Sequence, residues 1–169
     1  MQLWRTRKID EVHHVPMPRR ILFLGVTNTC RSVMLECLFK RMLRERLGEN
    51  MGQIKVSSAG LDAFDYSPPV ENARIILSEH GVDCSKFKST PLEEKLVEAV
   101  DVMLAVSERV KMRTVKRIPE AKGKVFTLRE YAGSRRDMND PMGRPIEKYR
   151  QCVNTMQSML EKLFLKVIR

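Results

Sequence analysis

The strongest constraint on this chain is the alternation of short apolar runs with helix-periodic segments. Ile21-Leu22-Phe23-Leu24, Ile54 to Ala59, Asp101 to Ala105 and Val125 to Leu128 each read as a strand. The continuous apolar run Ile21 to Leu24 suits a strand covered on both faces. Between them, Cys30 to Leu47 carries an apolar stripe of Met34, Leu35, Leu38, Phe39, Met42 and Leu43 at helical spacing. Pro69 to His80 reads as a second helix closed by Gly81, and Thr90 to Glu93 as a capping box opening a third. Ser107 is expected to cap a helix running to about Arg117. A polar loop from Arg129 to Gly143 then precedes a final helix with Pro145 in its first turn. That helix turns Ile146, Tyr149, Val153, Met156, Leu160 and Leu163 inward. Strands separated by helices need right-handed crossovers, which give an α/β fold of three layers: a four-stranded parallel sheet with helices on both faces.

Composition narrows the function classes. The chain has 169 residues, 43% hydrophobic and 31% charged, as expected of one soluble domain. Apolar runs are too short to span a membrane, and the N-terminus does not read as a secretory signal, so a cytoplasmic protein is expected. Cys30, Cys37, Cys84 and Cys152 are scattered without a C-x-x-C pair, so they read as reduced thiols, with no metal site and no cofactor called for. Met1 to Pro18, with Arg5, Arg7, Lys8, Trp4 and the His13-His14 pair, reads as a flexible basic extension ahead of a domain over 19–169. The formal charge of +10 suits an anionic partner. Basic residues are spread without interleaved aromatics, so the charge does not point to nucleic acid. Phosphate or a phosphorylated protein accounts for it equally well, and the oligomeric state is left open.

In such folds ligands bind beyond the carboxyl ends of the strands, so the turn after the first strand matters most. It reads Gly25-Val26-Thr27-Asn28-Thr29-Cys30-Arg31-Ser32 and leads into a helix. A strand-loop-helix of this kind turns successive backbone N–H groups inward over the positive end of a helix dipole, a geometry suited to phosphate-like anions. Arg31 can add a forked pair of hydrogen bonds, and Asn28 tolerates a left-handed backbone position.

The segment ILFLGVTNTCRSVMLECLF resembles the opening of the low-molecular-weight protein-tyrosine phosphatases, whose loop carries Cys-x5-Arg-Ser. Ser57 to Gly60 (SSAG), Val125 to Tyr131 (VFTLREY) and Asn139-Asp140-Pro141-Met142-Gly143 resemble later landmarks of that family, in the right order from about Ile21 to Leu163. Thr29 and VFTLREY are most similar to the bacterial branch that includes protein arginine phosphatases. The resemblance implies that Val26, Thr27, Asn28, Thr29, Cys30 and Arg31 bind phosphate, that Asn28, Ser32 and Ser58 support the loop, and that Asp140 is the general acid. It also suggests Phe64, Tyr66 and Tyr131 as walls of the cleft.

Three positions depart from the pattern. Gly25 stands where the family has its nucleophilic cysteine, Thr27 where it has glycine, and Val33 where it has proline. Without a thiolate at position 25 the covalent step has no attacker there and Asp140 is left idle. The leading expectation is a pseudophosphatase that binds phosphate or a phosphorylated side chain. The alternatives are an active phosphatase, for phosphoarginine or phosphotyrosine, that attacks with a non-standard group such as Cys30, or a regulatory scaffold without a working pocket. A β-branched Thr27 is expected to strain the loop if a left-handed backbone is needed at that position.

Overall fold

The computed structural model describes residues 17–168. The basic extension expected over Met1 to Pro18 therefore lies, up to residue 16, outside the described residues. Four strands, β1 (Arg20–Gly25), β2 (Lys55–Gly60), β3 (Val102–Ala105) and β4 (Val125–Thr127), form one sheet in the order β2-β1-β3-β4 with every neighbouring pair parallel. Among the described residues six α-helices accompany it: α1 (Arg31–Leu47), α2 (Glu71–Glu79), α3 (Glu94–Ala99), α4 (Glu108–Arg117), α5 (Leu128–Ala132) and α6 (Ile146–Val167).

The chain leaves β1 toward β2 on one side and later passes back to β3 and β4 on the other. Right-handed crossovers running in opposite directions place α1 and α4 on opposite faces of the sheet. Ile21, Leu22, Phe23 and Leu24 are fully buried, as a central strand covered on both faces requires. α6 lays Tyr149, Val153, Met156, Leu160 and Leu163 into the same core as the α1 stripe, of which Met42 alone is only partly buried.

Two local expectations are overturned. The capping box at Thr90 does not form: Gly60 N donates to Thr90 O at 2.9 Å and Leu92 N to Gly60 O at 2.9 Å, so this stretch extends β2's pairing. The helix starts only at Glu94, with Glu93 as its cap. The polar loop expected from Arg129 is interrupted at once by α5. There Thr127 accepts a hydrogen bond from Glu130 N at 3.0 Å, and Gly133 closes the turn at φ 67°.

Candidate functional site

The change of direction in strand order falls between β1 and β3, which opens a crevice at their carboxyl ends. A cleft of about 170 Å3 sits there, bounded by Gly25, Val26, Thr27, Asn28, Cys30, Arg31, Ser32, Val106, Asp140 and Met142. It lies directly over the N-terminus of α1.

The loop is held from beneath by a buried polar chain. Asn28 is 1% exposed and adopts φ 57°, the left-handed region that Asn tolerates better than most residues. Its Nδ2 donates to Ser32 Oγ at 2.9 Å and to Ser58 Oγ at 2.8 Å, while its Oδ1 accepts from Thr90 N at 2.9 Å. Ser58 Oγ in turn donates to Glu36, whose other oxygen takes Lys40 Nζ at 2.5 Å. Gly60, paired with Gly25 across the sheet, lets β2 approach closely: a Cβ there would stand 2.5 Å from Val26 O and 2.9 Å from Asn28 N.

With the loop bent this way, the backbone N–H groups from Val26 through Val33 find no acceptor among the described residues, and Met34 N, bonded to Cys30 O at 3.0 Å, is the first that does. Thr27 fits without strain, because Asn28 and Tyr66 are the only non-glycine described residues at positive φ. Its hydroxyl meets that of Thr29 at 2.8 Å. Thr29 does not border the cleft.

At the rim, Arg31 Nη1 donates to Met138 O at 3.2 Å and Nη2 stands 3.3 Å from Asp140 Oδ2. The arginine side chain is 12% exposed against 55% for the aspartate, so the fork is embedded and the carboxylate faces water. Asp140 Oδ1 also accepts from Met142 N at 3.1 Å. At the floor, the three atoms nearest to where a side chain on Gly25 would begin all belong to Ser32, with Oγ at 3.0 Å. Ser32 is 2% exposed and accepts from Asn28, but among the described residues nothing accepts its own hydroxyl proton.

Cys30 borders the cleft yet is 4% exposed. Burial pushes its thiol up to about 12, outweighing the neighbouring Tyr149 hydroxyl and Arg31, which act the other way. Cys152, behind Asn139, is pushed up to about 11 for the same reason.

The proposed walls are distributed differently. Phe64 and Tyr66 are 81% and 76% exposed and do not border the cleft. Tyr131 is not brought to Asp140: its ring packs on Phe126 at 5.4 Å and under Lys166 Nζ at 5.4 Å. Lys166 lies fourteen residues along α6 from Cys152, which touches Asn139, and that separation spans about 21 Å of helix. Met142 and Val106 border the cleft instead. Both were legible only as neighbours, Met142 two residues past Asp140 and Val106 at the end of β3. Glu36 carried a clearer signal, a carboxylate inside an apolar stripe four residues before a lysine.

A parallel sheet of this strand order with such a loop between β1 and α1 is the framework of a low-molecular-weight phosphatase. Residues 20–169 match the low molecular weight phosphotyrosine protein phosphatase family, and the chain belongs to it. It is 33% identical over 152 residues to a protein-arginine-phosphatase of Geobacillus stearothermophilus, covering 89% of this chain and 97% of that one. It is 36% identical over 144 residues to a protein-arginine-phosphatase of Bacillus subtilis, covering 85% and 93%. Among solved structures it resembles the arginine phosphatase YwlE in a Cys-to-Ser mutant with a phosphorylated active-site serine, with TM-score 0.77, 35% identity, and 85% and 92% of the two chains covered.

Proposed function

We propose that this member of the family binds a phosphoryl group on a protein side chain and does not hydrolyse it. The observation that carries the proposal is the run of unpaired N–H groups from Val26 through Val33, of which Val26, Thr27, Asn28, Cys30, Arg31 and Ser32 are residues that border the cleft. Buried backbone donors are almost always satisfied, so a loop that leaves so many free suits a ligand rich in acceptor oxygens. Arg31 supplies a fixed charge at the rim, and the free Ser32 hydroxyl supplies a further donor at the floor. Nothing at Gly25 repels a dianion, whereas a thiolate about 4 Å from it would.

Turnover has no attacker. Gly25 offers no atom, and burial holds the Cys30 thiol up to about 12, so it keeps its proton at neutral pH. The Cys-to-Ser mutant of YwlE carries its phosphoryl group on an active-site side chain, and position 25 has none to carry it. Asp140 keeps its place beside Arg31 with no leaving group to protonate.

The experiment compares the protein with Gly25→Cys and Arg31→Ala. Inorganic phosphate is expected to raise the melting midpoint of the unmodified protein by several degrees and to leave Arg31→Ala unmoved. The unmodified protein is expected to release no phosphate from an aryl phosphate or from phosphoarginine. Gly25→Cys is expected to release phosphate measurably, because a Cβ at that position would meet Ser32 Oγ at 3.0 Å and Ser32 Cβ at 3.2 Å, a closeness that a small shift of that side chain relieves. Turnover by the unmodified chain sinks the proposal, and so does a midpoint that ignores phosphate.

A further inference from the structure

The segment that follows β2 holds two aromatic side chains that no described residue covers, Phe64 and Tyr66. That segment is fastened to the cradle: Leu61 N donates to Gly25 O at 3.0 Å and Asp62 N to Val26 O at 2.8 Å. α4 lies against its other side, through Arg113 Nη2 to Asp62 Oδ2 at 2.7 Å and Arg117 to the Leu61 carbonyl. On α4 the positions Arg109, Met112, Arg113 and Lys116 share one face by their spacing. Met112 is 65% exposed, and Arg109 and Lys116 are exposed beside it.

Of the five cations on α4, two are matched by carboxylates among the described residues and three are not. Lys111 pairs with Glu130 and Arg113 with Asp62, but Arg117 is spent on a neutral carbonyl, and among the described residues Arg109 and Lys116 form no ion pair. Apolar exposure is concentrated here too. Of the seven large apolar side chains exposed among the described residues, Phe64 and Tyr66 lie on the segment after β2, Met112 lies on the face of α4 whose Arg113 reaches that segment, and Met142 borders the cleft. Scattered exposed apolar residues need no explanation, whereas a cluster framed by cations at the mouth of a ligand site has the make-up of a recognition surface.

We infer that this surface docks an acidic segment of a phosphorylated protein, its carboxylates on Arg109, Lys116 and Arg117 and its apolar side chains on Phe64, Tyr66 and Met112, while the phosphoryl group enters the cradle. The inference rests on the proposed phosphoryl binding and names the partner's chemistry. A second copy of this chain is a poor occupant, since both surfaces would bring the same excess of positive charge. Nucleic acid fits less well, since a backbone phosphodiester has only two free oxygens to offer a loop with this many unpaired N–H groups.

The test uses the full chain and fluorescein-labelled peptides of about a dozen residues, in phosphotyrosyl and phosphoarginyl forms. Their flanks are either aspartate with leucine or serine throughout. At low salt the acidic peptide is expected to bind about ten-fold more tightly than the serine-flanked one, with the advantage fading as salt rises. The double variant Arg109→Glu, Lys116→Glu is expected to remove that advantage while keeping the melting shift with inorganic phosphate. That shift tests the cradle separately, so its loss in the unmodified chain would sink the cradle and not the surface. Met112→Asp gives a second route should the double variant melt early, and it too is expected to erase the preference. Equal binding of the two flanks overturns the inference. A preference that survives both variants also overturns it, as does a single-stranded oligonucleotide that outcompetes the acidic peptide through the same two basic residues.

Discussion

Asn28 is the residue on which the cradle turns. Its left-handed backbone sets the direction of the loop amides, and its side chain spends three hydrogen bonds on Ser32, Ser58 and Thr90. Replacing it by alanine removes all three and leaves buried partners unsatisfied, at about 1–3 kcal/mol for such a group, and adds the cost of a left-handed alanine. Asn28→Ala is therefore expected to lose about 2–4 kcal/mol in urea unfolding, with phosphate binding abolished. Asn28→Gly restores the backbone freedom alone and is expected to recover about 1 kcal/mol of that loss. Equal stability of the two variants would show that the backbone angle is not what the asparagine provides. The left-handed position was legible from the residue type, because asparagine in a glycine-poor loop is suited to it. The partner Thr90 was not, because a contact across sixty-two residues leaves no local pattern.

Secondary structure was readable wherever an apolar period or a cap acted locally. Ser107 accepts from Val110 N at 3.2 Å at the start of α4, as its position ahead of a helical pattern indicated. The same signal at Thr127 is masked, because a strand ends on that residue and the helix it caps, α5, is only five residues long. At Thr90 a similar pattern misled, since pairing with Gly60 across the sheet satisfied the backbone better than a helix turn. The two real caps make a paired prediction. Ser107→Ala and Thr127→Ala are each expected to cost about 1 kcal/mol in denaturant unfolding. They should differ in local protection, because α4 is ten residues long and α5 is only half that. Hydrogen exchange is expected to quicken throughout α5 in Thr127→Ala but only in the first turn of α4 in Ser107→Ala. Uniform acceleration across the whole chain in either variant would contradict this division.

At the scale of the whole molecule, the alternation of strands and helices indicates a parallel sheet and singles out the turn after the first strand. The order β2-β1-β3-β4 that opens the crevice between β1 and β3 is instead set by long-range pairing that leaves no local pattern. What the sequence could not show is how deeply the thiols are placed. Cys30 and Cys37 are pushed up to about 12 and Cys152 to about 11, each chiefly by burial, from an ordinary value of 9.0. A thiol whose folded value lies above its unfolded value holds its proton more tightly in the folded chain. Its contribution to stability stands in full below about pH 9, and it is lost as the pH climbs from 9 through 11 and 12. Unfolding free energy is thus expected to stay level, so far as these thiols govern it, up to about pH 9. Above that it should fall, by about 1.4 kcal/mol per pH unit for each thiol that ionises only on unfolding. Cys30→Ala is expected to flatten part of this fall, and iodoacetamide at pH 8 should label the native chain far more slowly than the urea-unfolded chain. Rapid labelling of Cys30 in the native protein would contradict its buried, protonated state and would return it to consideration as an attacking group.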